Sequence, residues 1–513
     1  MGFLILFRLI PLSAQLSQPA RWEVENGYTE EAYSIISLKK EGLALLRDLE
    51  KFEDGKKKWE LIILDTAFQE RWRTEIDLRD DARFTGFEYI NGRLNLMFRR
   101  NETEILRADM LWIDLATQEI TRSFTEIKLQ IRLSHYTVVD NNCVFGGYVS
   151  REPVLLIYDP DKNNSIIVPG FFLTDTELMD VRPNANSTFN ILLFVRTPTQ
   201  KKIIFRTIDK AGNILVEAEI LVDEDKSILS AATSVLEHDE VLIGGAYSYK
   251  NDKQASGIFS CMIDPFSDQP VRYTELPLLR HFLDYLPAKK VRKIKERTNE
   301  RSNYNKPLNF RTNINIHRIE EFDNGFALFG ETFVASSASA TNIYSAPYQS
   351  QFRSYTYTPF ASRYYNNPYL YPPTPVIEEI RILQSFVVGF DFLGKPVWDY
   401  SIPMNNLKVA RRDQVSDFMV SNNVPHFIYK EDNELKYSYH SQDTSRIEKP
   451  NSVPIKLEKE TDEVRNKDEW EGNVRYWYSN YFYVWGIQSI RNKSSKNFEG
   501  SRRVFYINKI QVE

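Results

Sequence analysis

The chain has 513 residues, 26% of them charged and 42% hydrophobic, with a formal net charge of −5. So large an apolar fraction, with charge spread along the whole length, excludes a wholly disordered protein. The slightly acidic balance gives no general pull toward nucleic acid or anionic lipid, and the length exceeds what one two-layer core encloses.

At the start, residues 3–10 are almost wholly apolar and are followed by Pro11, Leu12, Ser13 and Ala14. This predicts a secretory signal peptide over 1–14, cut after Ala14. No basic stretch precedes the apolar run, and Arg8 interrupts it; a frayed cytoplasmic terminus is the alternative. No cysteine near Ala14 offers a lipid anchor, and no later run of eighteen apolar residues predicts a spanning helix. The remainder, 15–513, reads as a single domain.

In that domain one unit recurs. A strand, a tight polar turn and a second strand lead to an apolar third strand ending in Asp, a turn, and a fourth strand. The hairpins begin at residues 32–46 and 84–98, the second turning at Asn91-Gly92. Later turns fall at Asp140-Asn141-Asn142, Asn184-Ala185-Asn186, His238-Asp239-Glu240, Asp323-Asn324-Gly325, Ser421-Asn422-Asn423 and Ser479-Asn480. Asn-Gly supplies the positive φ angles a two-residue hairpin needs. Third strands end at Asp65, Asp114, Asp159, Asp209, Asp264 and Asp391. A period of roughly 50 residues belongs to a four-stranded unit that must stack on its neighbours. The expected fold class is all-β, a β-propeller of eight four-stranded blades, with seven as the alternative. Aromatics at 13% suit such half-buried pleated surfaces.

The two ends complement each other. The last copy, residues 474–508, leaves little room for a fourth strand. Arg21-Trp22-Glu23-Val24-Glu25 has no three strands before it, and it matches the fourth strands around Trp72 and Trp398. The N-terminal strand is therefore expected to close the propeller as the outermost strand of the last blade, satisfying two exposed edges.

Trp22, Gly27, Glu31-Ala32-Tyr33-Ser34-Ile35 and Gly42 resemble the secreted propeller repeats of the W-x-K-x-Y-G-G, D-E-A-x-S-I, D-G-G-Y kind. Those are common in cell-envelope proteins of the Bacteroidetes group. The likeness covers the first blade and continues as rhythm. Such repeats share no catalytic residue, so the resemblance implies an exported propeller and no activity.

Two insertions break the period, at about 274–311 and 336–375. The first predicts a short helix over 276–286, followed by the basic run Lys289, Lys290, Arg292, Lys293 and Lys295, most simply a solvated helix face. The second carries Tyr344, Tyr348, Tyr355, Tyr357, Tyr364, Tyr365, Tyr369 and Tyr371 among Ser, Asn and Pro. Neither shows core periodicity, and excursions of this length usually gather on one face, where partners bind. Tyrosines give large rigid contacts at low entropic cost.

Little points to chemistry. The repeated aspartates start turns, where a carboxylate accepts backbone N–H groups. The first strands, which line a propeller's axis, offer Ser34, Ser134, His135, His317, Arg318 and Asp417. These do not repeat one chemical type. Arg132 and Tyr136 share a face by the period of two and with His317 form the one imaginable catalytic set. No nucleophile elbow, zinc-protease, phosphate-loop or dinucleotide motif is present, and no cofactor or metal is implied. Cys143 and Cys261 sit in separate blades and read as small buried side chains.

The expected function is a non-catalytic binding or scaffolding subunit of a bacterial cell-envelope complex. It would be exported and peripheral to the outer membrane, in the periplasm or at the cell surface. Its contacts would be Tyr355, Tyr357, Tyr364, Tyr365 and Tyr369, with Lys289, Lys290, Arg292 and Lys293 as electrostatic companions. Glycan or lipopolysaccharide contact is compatible with this; nucleic acid is not. The alternative is a carbohydrate-active propeller enzyme, a lyase or glycoside hydrolase, working in the central pocket.

Overall fold

The computed structural model describes residues 16–513 apart from 28–29, 101–104, 198, 237–239, 251, 265–269, 303–305, 307–309, 337–378, 410–412, 422–423, 440–449, 466–471 and 494–500. The signal-peptide expectation over 1–14 and the tyrosines Tyr355, Tyr357, Tyr364, Tyr365 and Tyr369 lie outside the described residues.

Eight antiparallel sheets follow one another along the chain. Their first strands are Ser34–Ser37, Ala82–Ile90, Arg132–Val139, Thr176–Pro183, Lys226–Thr233, Asn313–Phe322, Ser416–Ser421 and Gly472–Tyr478; we number the blades 1 to 8 in that order. In blades 1 to 7 the strands lie in chain order, first to fourth. Blade 8 adds the short strand Asp462–Val464 beside its second strand, Tyr481–Asn492. The fold is an eight-bladed β-propeller. Blades 1 to 6 form one compact unit, and blades 7 and 8 another.

Both faces of a blade are buried, so third strands read as continuous apolar runs instead of alternating. In Glu152–Asp159, Val154, Leu156 and Tyr158 pack against blade 2. Leu155 and Ile157 point the other way, into the core shared with blade 4. Blades 1 and 2 meet around Trp59, Leu61, Phe84 and Phe98, with the Trp59 and Phe98 rings edge-on at 5.0 Å. In the second unit Met419 and Ile428 of blade 7 pack with Val474, Phe482 and Tyr506 of blade 8.

The N-terminal strand Leu16–Glu25 is the fourth strand of blade 8. It pairs antiparallel with Ser501–Val512, placing Trp22 opposite Ile507 and Glu25 opposite Val504. The hairpin at Asn91-Gly92 has φ of 51° and 77°, as a two-residue turn between twisted strands requires. Gly42 follows the hairpin turn of blade 1 at φ 126°, and a Cβ there would sit 1.8 Å from the Leu64 carbonyl oxygen. Only glycine fits.

The third-strand aspartates hold turns. Asp65 Oδ1 accepts the amides of Ala67 and Gln69, both at 2.8 Å. Asp391 does the same for Leu393 and Lys395 at 3.0 and 2.8 Å. Asp114, Asp159 and Asp209 repeat the pattern. Backbone N–H groups at Thr117 and Ala116 hold the Asp114 carboxyl below its ordinary range. Replacing Asp65 or Asp391 by Ala should cost about 1 kcal/mol each. Denaturant unfolding reads this, and a change in divalent-metal uptake instead would mark them as ligands.

The first insertion departs from expectation. Residues 276–286 form no α-helix: Leu276–Leu278 is a single 3-10 turn, and Leu276, Leu279, Phe282 and Leu283 are buried in the core between blades 5 and 6. Blade 6 side chains satisfy the backbone that a helix would otherwise have to satisfy itself. Asp399 accepts the amides of Arg280 and His281, Gln384 donates to the Phe282 carbonyl, and Ser401 donates to that of His281. The α-helix comes later, as α1 (Ala288–Ser302) on the basic run itself. Pro287 stands before it, its carbonyl accepting the N–H groups of Lys290 at 2.7 Å and Val291 at 3.1 Å, a position where its own missing N–H costs nothing.

Candidate functional site

The insertion is a mount. Its first half is fixed by the four hydrogen bonds above, by Phe282 edge-on to Phe386 at 5.1 Å, and by His281 stacked on Tyr400 at 5.4 Å. Burial pushes the Asp399 carboxyl above its usual range, although the two amides and His281 pull it down. α1 then turns Val291 and Ile294 toward the core of blades 5 and 6 and buries Thr298. Lys289, Lys290, Arg292 and Lys293 are all exposed, on the side an amphipathic helix gives to solvent.

The first strands are organised by a feature the repeat did not announce. In blades 2 to 6 each carries a register shift at the same place: Phe84/Gly86, Leu133/His135, Leu178/Asp180, Ile228/Ser230 and Ile316/Arg318. One extra residue turns the rest of the strand over. Arg132 lies opposite Tyr148 and Tyr136 opposite Phe145, three residues apart on the partner strand and so on opposite faces. The expectation that Arg132 and Tyr136 share a face is thus corrected. The opposing glycine marks the crowding: a Cβ on Gly147 would lie 2.5 Å from the Arg132 carbonyl oxygen.

The three members of the imagined catalytic set take separate partners. The Tyr136 hydroxyl donates to Asn95 Oδ1, Arg132 lies over the Tyr148 ring at 5.8 Å, and His317 Nε2 meets Glu331 Oε2 at 3.0 Å. Ser385 donates to the other Glu331 oxygen at 3.2 Å. The serine thus faces the carboxylate and not the imidazole, which is the wrong order for activating a nucleophile. Ser34 is buried, Ser134 bonds the His135 ring at 2.9 Å, and Arg318 pairs with Glu320.

Other first-strand polar groups staple one blade to the next. Asp417 accepts the Tyr476 amide at 2.9 Å, from blade 7 to blade 8. Asp180 accepts the Thr233 amide and hydroxyl at 2.8 and 3.3 Å, from blade 4 to blade 5. Arg182 reaches from blade 4 to the Ile319 carbonyl of blade 6 at 3.3 Å. Asp180, Arg182 and Glu88 were not singled out from sequence; the bulge that re-aims these strands has no signature in residue type.

Glu88 is strongly perturbed. Thr137 donates to it from blade 3 at 2.9 Å. Burial lifts its carboxyl from 4.5 to about 7, against the Thr137 hydroxyl and the positive charges of Lys39 and Arg182. A folded-state value raised in this way favours the protonated, folded form. That contribution is full below about pH 4.5 and is lost as pH rises through 7. Glu88→Gln should therefore gain stability relative to wild type between pH 5 and 8, measured by unfolding at each pH. A pH-independent difference would contradict the shift.

Cys143 and Cys261 are buried and unpaired, their thiols pushed up to about 12 by burial, as expected of inert packing residues. Among the described residues no group of three or more His, Cys, Asp or Glu could hold a metal ion, and no helix is long and apolar enough to cross a membrane.

No family model matches the sequence, and no curated protein does. Solved structures supply the likenesses. The chain is similar to a prolyl endopeptidase at 7% identity and a TM-score of 0.37, over 91% of this chain and 54% of that one; it spans about half that enzyme's length. It is similar to the β-propeller domain of the Trilobed protease from Pyrococcus furiosus at 7% identity and a TM-score of 0.34, over 82% and 97%. It is also similar to a polysaccharide lyase at 9% identity and a TM-score of 0.39, over 96% and 100%. At these identities and scores no activity transfers to this chain, and the fold rests on its own eight blades.

Proposed function

We propose that this propeller is a non-catalytic binding or scaffolding subunit of a bacterial cell-envelope complex, exported and peripheral to the outer membrane. One observation carries the reading: blade 6 spends buried polar groups to fix an insertion whose visible product is an exposed cationic helix. Stabilising blades needs no such helix, whereas a rigidly mounted surface element suits partner recognition. The tyrosine-rich segment with Tyr355, Tyr357, Tyr364, Tyr365 and Tyr369 belongs to the same proposal as a second contact. The test is affinity capture from gently solubilised envelopes. A stoichiometric companion in the envelope fraction is expected; recovery of the chain alone, or only from cytosol, would refute it.

A carbohydrate-active enzyme is the second reading. What favours it is Glu88, a carboxyl near 7 beside Lys39 and Arg182, since a group poised near neutrality suits proton transfer. Reducing-end or unsaturated-product release from acidic and neutral polysaccharides, abolished in Glu88→Gln, would establish it.

A further inference from the structure

We infer that the outward face of α1 docks an acidic segment of a protein partner, through Lys289, Lys290, Arg292, Lys293 and Arg297 with Leu278 as an apolar anchor at the rim. This rests on the binding reading above and names the chemistry of its surface.

The first argument is a contrast in how this chain treats its cations. On the blades, several partly exposed lysines and arginines are given carboxylates. Lys202 pairs with Glu219 at 2.7 Å, Lys226 with Asp223 and Asp225 at 2.7 and 3.0 Å, Arg73 with Glu60 and Glu70 at 2.6 and 2.7 Å, and Arg491 with Glu463 at 2.5 Å. On α1, Arg292 meets Glu296 only at 3.6 Å, both well exposed, and Lys289, Lys290, Lys293 and Arg297 are exposed to solvent. The helix carries seven cations against two carboxylates, Glu296 and Glu300.

Placement adds a second argument. Lys289 and Lys290 occupy the first turn, where no acidic residue is found. Cations there oppose the helix dipole. Helix stability would favour the reverse arrangement. Charge placed against the stability of the helix suits use by a partner outside the chain.

The helix is also presented stiffly. Val291 and Ile294 pack on the core, Thr298 donates to the Ile294 carbonyl at 2.8 Å, and Lys295 reaches back to the Arg280 carbonyl at 3.4 Å. Leu278, in the 3-10 turn packed beside α1, is 58% exposed. An exposed apolar side chain next to the cationic stripe gives a partner an apolar contact at its edge.

Charge distribution selects a protein over a membrane. The whole chain is −5 although α1 is strongly positive, so the rest is more acidic still. A planar anionic bilayer would meet far more of the protein than this one stripe, and the net negative charge of the chain opposes its approach. A local acidic segment matches the stripe alone. The apolar side of α1 already faces its own core, leaving none to insert into lipid.

The test places a photo-crosslinking residue at Arg292 in the full-length protein, irradiates envelopes, and identifies adducts. The expected product is a protein adduct mapping to an Asp- and Glu-rich peptide. Charge reversal by Lys289→Glu, Lys290→Glu, Arg292→Glu and Lys293→Glu together should slow association with the captured companion about tenfold or more at low salt. It should remove most of the salt dependence while leaving the protein folded, with a thermal midpoint no lower than that of wild type. Vesicles of phosphatidylglycerol and phosphatidylcholine should not sediment the protein. Lipid adducts, or vesicle binding abolished by charge reversal, would overturn the inference in favour of a membrane surface. If a companion is captured at wild-type yield by the reversed variant, with no adduct at Arg292, this inference falls and the scaffold reading stands. If no companion exists in any arm, both fall.

Discussion

Removing residues 16–27 should lower the midpoint of thermal unfolding by about 10 °C or more and promote self-association. The strand Leu16–Glu25 covers the whole outer edge of Ser501–Val512, and an uncovered strand of that length is a template for pairing with another chain. It also brings an ion network into a nearly dry site. Arg21 donates to Glu23, to Asn508, to the Lys456 carbonyl and to Gln488, between 2.8 and 3.1 Å, with its guanidinium 4.5 Å from the centre of the Tyr506 ring. Arg502 reaches both Glu23 and Asp462 at 2.8 Å. Deleting the strand leaves Arg502, Asn508 and Gln488 each short of a partner, and a buried polar group left so costs about 1–3 kcal/mol. Roughly 2–4 °C accompany each kcal/mol in a unit of this size. Gln18 ties the same strand to blade 7, bonding the Pro454 carbonyl and the Lys456 amide at 2.8 Å, so both blades of that unit should lose stability together. Arg21→Ala alone should reproduce a good part of the loss. An unchanged midpoint in both variants would mean that the strand is decoration.

That clasp was legible in the sequence because its signal was one of counting and type: a last repeat one strand short, and an orphan strand with the tryptophan of a fourth strand. The turn aspartates were legible for the same reason, since Asp at the end of an apolar run has a local job that needs no distant partner. What failed to show were features decided by tertiary contact. Leu276, Leu279, Phe282 and Leu283 have helical spacing, and in isolation that pattern predicts a helix. Their backbone bonds were claimed instead by Asp399, Gln384 and Ser401, residues more than a hundred positions away. The bulge that puts Arg132 and Tyr136 on opposite faces costs one residue in a strand, and Leu133-Ser134-His135 contains nothing to betray it. Glu88, Asp180 and Arg182 matter because their strands meet, which a period of fifty residues does not reveal. The contact surface is divided in the same way: the charge of α1 is plain in the sequence, while its rigid mounting is visible only in the fold.

Asp399→Ala should be among the most damaging single substitutions outside the clasp, and its effect should reach the proposed docking helix. Asp399 was visible beforehand only as the residue after Trp398 in a fourth-strand match; the fold gives it a different task. Its two oxygens accept the Arg280 and His281 amides, both at 2.7 Å, and without it the buried His281 N–H and the half-buried Arg280 N–H lose their acceptors, at about 1–3 kcal/mol for a buried group. The anchor would then be held by Phe282 and Leu283 in the apolar core and by Gln384 and Ser401. Loosening it frees the N-terminal approach to α1, because Arg280 also receives Lys295 through its carbonyl. The expected result is a loss of about 2–4 kcal/mol in unfolding free energy, with faster amide exchange and proteolysis across 276–302. Asn in the same place keeps one acceptor and removes a charge that burial disfavours, so Asp399→Asn should cost much less. Companion binding supplies the functional readout. Asp399→Ala should weaken it without altering a single surface charge, by making the partner bear the entropy of ordering the helix, while Asp399→Asn should bind nearly as wild type. Equal effects of Ala and Asn on stability and on exchange would show that the carboxylate is not what fixes the insertion.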